Sequence, residues 1–214
     1  MREGAKRLTV GVTGASGAIY AVRTLRALLM TELLVDLIVS ETGWMLLRDE
    51  SGFDGKRGDF GSFLESRFSD DALIGELRLH QQGDFAAPIS SGSVDSLGTV
   101  IVPCSMRYLA GVANGSSSNL IERAADVALK ERRRLVLVPR ETPLNRIHVQ
   151  NMLAVIEAGA EMLPAMPGFY HHPKNIEELV DTVAGRILDR LGVESALFKR
   201  WQGDPLAQYV HLEE

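Results

Sequence analysis

Cysteine is nearly missing: the 214 residues hold one, Cys104. A single thiol excludes an internal disulfide framework and suits a reducing compartment. An excess of positive charge is missing too. Lys and Arg total 23 against 28 Asp and Glu, a formal net charge of −5, whereas a nucleic-acid binder carries a basic stripe. No apolar run reaches the roughly 18 residues of a membrane span, and Met1-Arg2-Glu3-Gly4 lacks the apolar core of a secretion signal. The expectation is a cytoplasmic protein with neither nucleic acid nor membrane as partner. Metal-ligand spacings are absent as well. Without H-E-x-x-H or a Cys/His array, His171-His172 reads as a pair of exposed loop histidines, and no metal is expected. The remaining composition is average, 45% hydrophobic and 24% charged. That is enough apolar surface to offset chain entropy in one folded domain spanning 1–214.

Arg7 to Thr13 is a β-prone run, Gly14 to Ala18 a turn of small residues, and Ile19 to Met30 has apolar side chains at helical spacing. Strand, glycine turn and helix follow one another. Leu34 to Ser40 is a second strand leading into a helix over Glu41 to Glu50. Ser51 to Ser62, rich in Gly, Asp and basic residues, reads as a surface loop. Leu97 to Cys104 is a third strand, apolar enough to be buried on both faces. Asn119 to Arg132 is a helix with Asn119 as N-cap, Leu135 to Pro139 a fourth strand, and Asn145 to Ala158 a helix. Met162 to Ala165 is a short strand and Ile176 to Leu191 a final helix. This alternation predicts an α/β sandwich around a mainly parallel sheet. Met106, Met152, Met162 and Met166 read as core or loop filler. The stretch 192–214 is polar apart from Leu197, Phe198, Trp201 and Tyr209, and reads as a tail packed across a site or a neighbour.

Ligands of open α/β sheets bind beyond the carboxyl ends of the strands. Those ends here carry Thr13-Gly14-Ala15-Ser16-Gly17, Ser40, Pro103-Cys104-Ser105-Met106-Arg107-Tyr108 and Pro139-Arg140-Glu141-Thr142-Pro143. Small residues, hydroxyls and an arginine on one edge suit a phosphorylated ligand. The first turn is neither G-x-G-x-x-G nor a P-loop, and by itself it is equally a tight βα turn that needs small residues. Ser40 stands where an adenosine ribose would require an acid, so a mononucleotide such as FMN is preferred to NAD. Arg123, Lys130, Arg140 and Arg186, with Tyr170, form a second set. Arg123 and Lys130 lie two turns apart on one helix face, able to reach a single anion; the alternative is a solvated basic face, as for Arg132-Arg133-Arg134. Glu141, beside Arg140 in a turn bracketed by prolines, suits proton transfer. Cys104, closing an apolar strand, reads as packing rather than a nucleophile.

Several strings resemble one family. They are Thr13-Gly14-Ala15-Ser16-Gly17-Ala18, Pro103-Cys104-Ser105, Asn119 to Asp126, Leu135 to Leu144, His148 with Asn151-Met152, and Pro164 through Pro167-Gly168-Phe169-Tyr170. In this order they are similar to UbiX-type flavin prenyltransferases from about residue 7 to Trp201. The resemblance implies a flavodoxin-like (Rossmann-type) three-layer sandwich and a homododecamer with sites at subunit interfaces. It also implies a reaction: reduced FMN and dimethylallyl phosphate give FMN prenylated at N5 and C6, and phosphate. The product is the cofactor of UbiD-type decarboxylases, among them one in ubiquinone synthesis. By resemblance Gly14, Ala15, Ser16, Ser40, Ser105, Met106, Arg107, Tyr108 and Arg140 hold FMN. Tyr170, Arg186, Arg123, Lys130 and Arg140 hold the prenyl phosphate. Glu141, Ser16, Lys130 and Glu50 serve catalysis, and Trp201 in the tail closes the site. Two departures stand out: Tyr108 replaces the family's Thr, and Phe85 replaces the Trp of some members. Flavin-dependent cysteine decarboxylases share the flavin turn, but show Pro-Ala-Ser-Ala-Asn-Thr in place of Pro103 to Tyr108. They also carry an early catalytic histidine, whereas the first here is His80, in a weakly structured region. An FMN electron carrier would leave Lys130, Glu141, Tyr170 and Arg186 without a role.

Overall fold

The computed structural model describes residues 6–198 and residue 200. Strands β1 (Arg7–Val12), β2 (Leu34–Val39), β3 (Glu76–His80), β4 (Gly98–Cys104), β5 (Arg134–Pro139) and β6 (Glu161–Met162) form one sheet in the order β3-β2-β1-β4-β5-β6. Every neighbouring pair is parallel. Parallel strands need crossovers that cover both faces, and β2 and β4 are buried at every residue accordingly. The chain winds outward from β1 to β3, then returns to place β4 on the other side of β1. The topological switch point therefore lies between the ends of β1 and β4, where such folds open a crevice.

Helices α1 (Ala18–Leu29), α2 (Glu41–Ser51), α3 (Phe60–Arg67), α4 (Met106–Ala113), α5 (Leu120–Lys130), α6 (Arg146–Glu157) and α7 (Ile176–Leu191) flank the sheet. The period of two along a strand divides the core. Val100, Val102, Val136 and Val138 join Leu25, Leu37 and Ile187 on one side, while Ile101, Leu135 and Leu137 join Leu109, Ile121 and Val155 on the other. Asn119 caps α5 as expected, its Oδ1 accepting from the amides of Ile121 and Glu122.

Four expectations need correction. The segment 51–62 is not a plain surface loop. Phe53 and Phe60 are each 1% exposed, their rings 5.2 Å apart edge to face, and Trp44 meets Phe60 at 5.4 Å. This aromatic cluster anchors a short 3-10 turn and the start of α3. His80 lies in β3, where its Nε2 is 2.7 Å from Asp36 Oδ1, and Arg7 Nε sits 3.0 Å from the other oxygen of that fully buried carboxylate. The end of β4 passes directly into α4, whose first turn holds residues 106–108. His171 is half-buried, with Nε2 3.1 Å from Thr182 Oγ1 on α7. At the strand expected over 162–165, β6 covers Glu161–Met162 alone, but Leu163 and Ala165 still donate to Leu137 and Pro139.

After α7 the chain turns back along it. Gly185 leaves room for the Phe198 ring, which lies against it so closely that a Cβ would collide. Arg200 pairs with Asp189. Trp201 and Tyr209 lie outside the described residues. Among the described residues no helix is long and apolar enough to cross a membrane.

Candidate active site

Thr13 ties the switch point together. Its buried Oγ1 donates to Pro103 O at 2.7 Å and accepts from Ser105 N at 2.8 Å, joining the ends of β1 and β4. Ser40 N donates to Val12 O at 2.9 Å, so the end of β2 belongs to the same rim. Gly14 must be small there, because a Cβ would strike Thr42 Oγ1. Ala15 is buried and Ser16 exposed.

Gly17 adopts φ 112°, the left-handed region that favours glycine. Its amide and that of Ala18 donate to Glu50 Oε2 at 2.7 and 2.8 Å. A carboxylate from the end of α2 thus occupies the positive end of α1. Burial raises the Glu50 pKa, but hydrogen bonds from Ala18, Gly17 and Ser16, with the charge of Arg140, outweigh it and hold the carboxyl below its ordinary range. These α1 amides are therefore already paired, and an anionic ligand must draw on other donors of the rim.

Arg140 follows β5, and its Cγ comes within 3.9 Å of where a Gly17 Cβ would stand. Its Nε is buried without a hydrogen-bond partner. A buried donor without a partner is costly, and here it points to a ligand acceptor. Glu141 is exposed, its Oε1 accepting from Thr142 N at 3.0 Å. Ser105 and Met106 are half-buried, and Arg107 is exposed. Tyr108 is only 4% exposed; its Oη accepts from Gln82 Nε2 at 2.7 Å. Gln82 escaped the sequence reading because it lies in an irregular segment 26 residues before its partner. The donor set suits FMN: hydroxyls, glycine backbone and one arginine, with an unpartnered guanidinium nitrogen as the demand for an acceptor.

The phosphate set is divided. Tyr170 lies edge-on to His171, whose contact with Thr182 docks this loop on α7 one turn before the exposed Arg186. Lys130 instead ends α5 and pairs with Glu131 at 2.5 Å. Beside it Arg133 holds Gly92 O and Val94 O, just before β4 and β5 begin. That is the opposite edge of the sheet from Gly14 and Arg140. Arg123 donates to Ser90 O and pairs with Asp126 at 2.8 Å. Within one chain, then, Arg123 and Lys130 do not converge with the rim on one anion. Cys104 is fully buried and its thiol pKa is pushed up to about 12 by that burial, as befits a packing residue. Among the described residues no group of three or more His, Cys, Asp or Glu is placed to hold a metal.

Comparison with known proteins adds to this geometry. The Flavoprotein family model matches residues 1–188. A flavin prenyltransferase UbiX of Alkalihalophilus pseudofirmus is 51% identical over 196 residues, covering 92% of this chain and 96% of that protein. The crystal structure of AnUbiX (PadA1) in complex with FMN and dimethylallyl pyrophosphate superposes with TM-score 0.82 at 40% identity, covering 94% of this chain and 99% of that one. A dodecameric FMN-dependent UbiX-like decarboxylase from Escherichia coli O157:H7 gives TM-score 0.80 at 40% identity, covering 92% and 100%. Fold and rim define a flavoprotein of the flavodoxin-like class. Within that class, the chain belongs to the UbiX flavin prenyltransferase family.

Proposed function

We propose that this chain joins a dimethylallyl group from dimethylallyl phosphate to N5 and C6 of reduced FMN, releasing phosphate. The observation that carries the reading is the unpartnered Arg140 Nε beside the Gly14–Gly17 turn, with Glu141 next to it. Bound reduced FMN supplies the electron-rich ring to which the dimethylallyl group is joined. Arg140, with Ser40, Ser105 and the backbone from Gly14 to Ser16, holds it on the rim; Met106 and Arg107 line the same edge. Arg186 and Tyr170 bind the prenyl phosphate, and fixed cations lower the barrier to its departure by meeting the charge that develops, each donor worth about 3 kcal/mol. Lys130 and Arg123 join them from a neighbouring copy, since their own chain places them elsewhere. Glu141 moves protons, and Ser16 lies beside the reacting ring with Glu50 fixing the turn that carries it. No residue is assigned to a metal.

Assembly suits the surface. On α6, Val149, Leu153 and Ile156 are 53, 54 and 49% exposed and share one apolar face that a second copy would bury. Phe85, 49% exposed, walls the prenyl pocket across such a contact, and the tail from 192 with Trp201 closes over it. The product passes to a UbiD-type decarboxylase in the cytoplasm. The test is anaerobic incubation with reduced FMN and dimethylallyl phosphate, then mass analysis of the released flavin. A gain of one C5H8 unit is expected. No gain from protein that binds FMN, with the phosphate or the diphosphate, would overturn the reading.

A further inference from the structure

We infer that His171 and Thr182 are positioning residues. One imidazole tautomer, with Nε2–H donating to Thr182 Oγ1, latches the turn that carries Tyr170 onto α7 and so sets the phenol relative to Arg186. The inference rests on the reading that Tyr170 and Arg186 bind the prenyl phosphate, and it names the contact that brings the two into register.

Tyr170 and His171 are the central residues of a tight turn, closed by His172 N donating to Phe169 O at 3.0 Å. Two neighbours in such a turn move together. The Tyr170 ring folds back over Gly168, where a Cβ would come within 2.8 Å of the ring's Cε1. The same ring meets the His171 imidazole edge-on, with centroids 5.5 Å apart. Glycine on one side and imidazole on the other give the phenol its direction, and fixing His171 fixes Tyr170.

The tautomer follows from a count of protons. Thr182 Oγ1 carries one, and Glu178 O, a turn earlier on α7, is 3.1 Å away to receive it. With that proton spent, the 3.1 Å contact to His171 Nε2 draws its proton from the ring. Nδ1 is then the bare nitrogen. It is buried and has no hydrogen-bond partner among the described residues. The other tautomer would bury an orphaned N–H there, and Nε2 and Glu178 O would compete for one hydroxyl proton. Thr182 is itself only 5% exposed. Four residues separate it from Arg186, so both lie on one face of α7. The latch ties Tyr170 to the helix face that carries the cation, one turn away from it.

The test uses the full chain and two readouts. In nitrogen NMR spectra His171 should show Nε2 protonated and Nδ1 bare; a proton on Nδ1 overturns the inference. In single-turnover transfer, Thr182→Val should raise the half-saturating concentration of dimethylallyl phosphate about fivefold, the share of one hydrogen bond. The rate at saturation and the affinity for FMN should stay as in wild type, and Thr182→Ser, which keeps the hydroxyl, should restore the wild-type concentration dependence. If Thr182→Val needs no more prenyl phosphate than wild type, or if it loses FMN affinity as well, the latch is overturned and the prenyl reading stands. If the wild-type chain binds FMN and transfers nothing, the prenyl reading fails and the inference with it.

Discussion

At the flavin end of the rim, Thr13, Gly17, Glu50 and Ser105 are held to one another inside one chain, by hydrogen bonds of 2.7–2.8 Å that span 33 and 92 residues of sequence. At the proposed phosphate end, Lys130 and Arg123 sit on α5, each paired with a nearby acid of its own chain, Glu131 and Asp126. The first half is built within one chain; in the proposed function the second is completed by another copy. Exposed pairs such as Lys130 with Glu131 contribute little to stability, so these cations can be surrendered to a ligand at small cost, while the buried Thr13 hydroxyl joins the ends of β1 and β4 themselves.

The largest effect should come from separating the copies. Leu153→Glu puts a charge on the apolar face of α6 and should yield a folded, smaller species by light scattering. Prenyl transfer should fall by about a thousandfold, one donor's share at the upper end, with FMN binding kept. Loss of FMN binding would mean that the flavin half also depends on assembly. Glu141→Gln sharpens the contrast inside one site: single-turnover transfer should slow about a hundredfold while FMN titrates normally. Unchanged turnover would remove Glu141 from the chemistry. The smallest effect concerns Glu50. Because its folded-state pKa is lowered, its contribution is present above the ordinary carboxylate pKa and is lost as pH falls through the lower folded value. Glu50→Gln should cost at most about 1 kcal/mol at neutral pH, given its exposure. The gap between variant and wild type in denaturant titrations should close on acidification.

The strands β1, β2, β4 and β5 were legible because each is a short apolar run bounded by turn residues, and the alternation with helices implied the sheet. β3 was not, since an edge strand alternates weakly; its Glu76 and Leu79 are exposed. α3 was hidden because its anchor is a cluster of Trp44, Phe53 and Phe60, which are dispersed in sequence and meet in space. The strand ends read from the sequence do meet at one rim. What they did not convey was which donors were already taken: the helix start at Gly17 suggested an anion site, yet the anion there is Glu50 of the chain itself. The same holds for Arg123 and Lys130, whose shared helix face says nothing about the edge of the sheet to which that helix end is carried.

The division of the site between copies is tested most directly by complementation. Chains carrying Lys130→Ala and chains carrying Glu141→Gln are co-assembled, and transfer of C5H8 to reduced FMN is followed by mass. Each variant alone should be nearly inactive. The mixed oligomer should recover up to about a quarter of the wild-type rate, because random assortment rebuilds intact sites from two different chains. If the mixture stays as inactive as its components, Lys130 and Glu141 do not act in one site across an interface, and the account of a site completed by assembly is wrong.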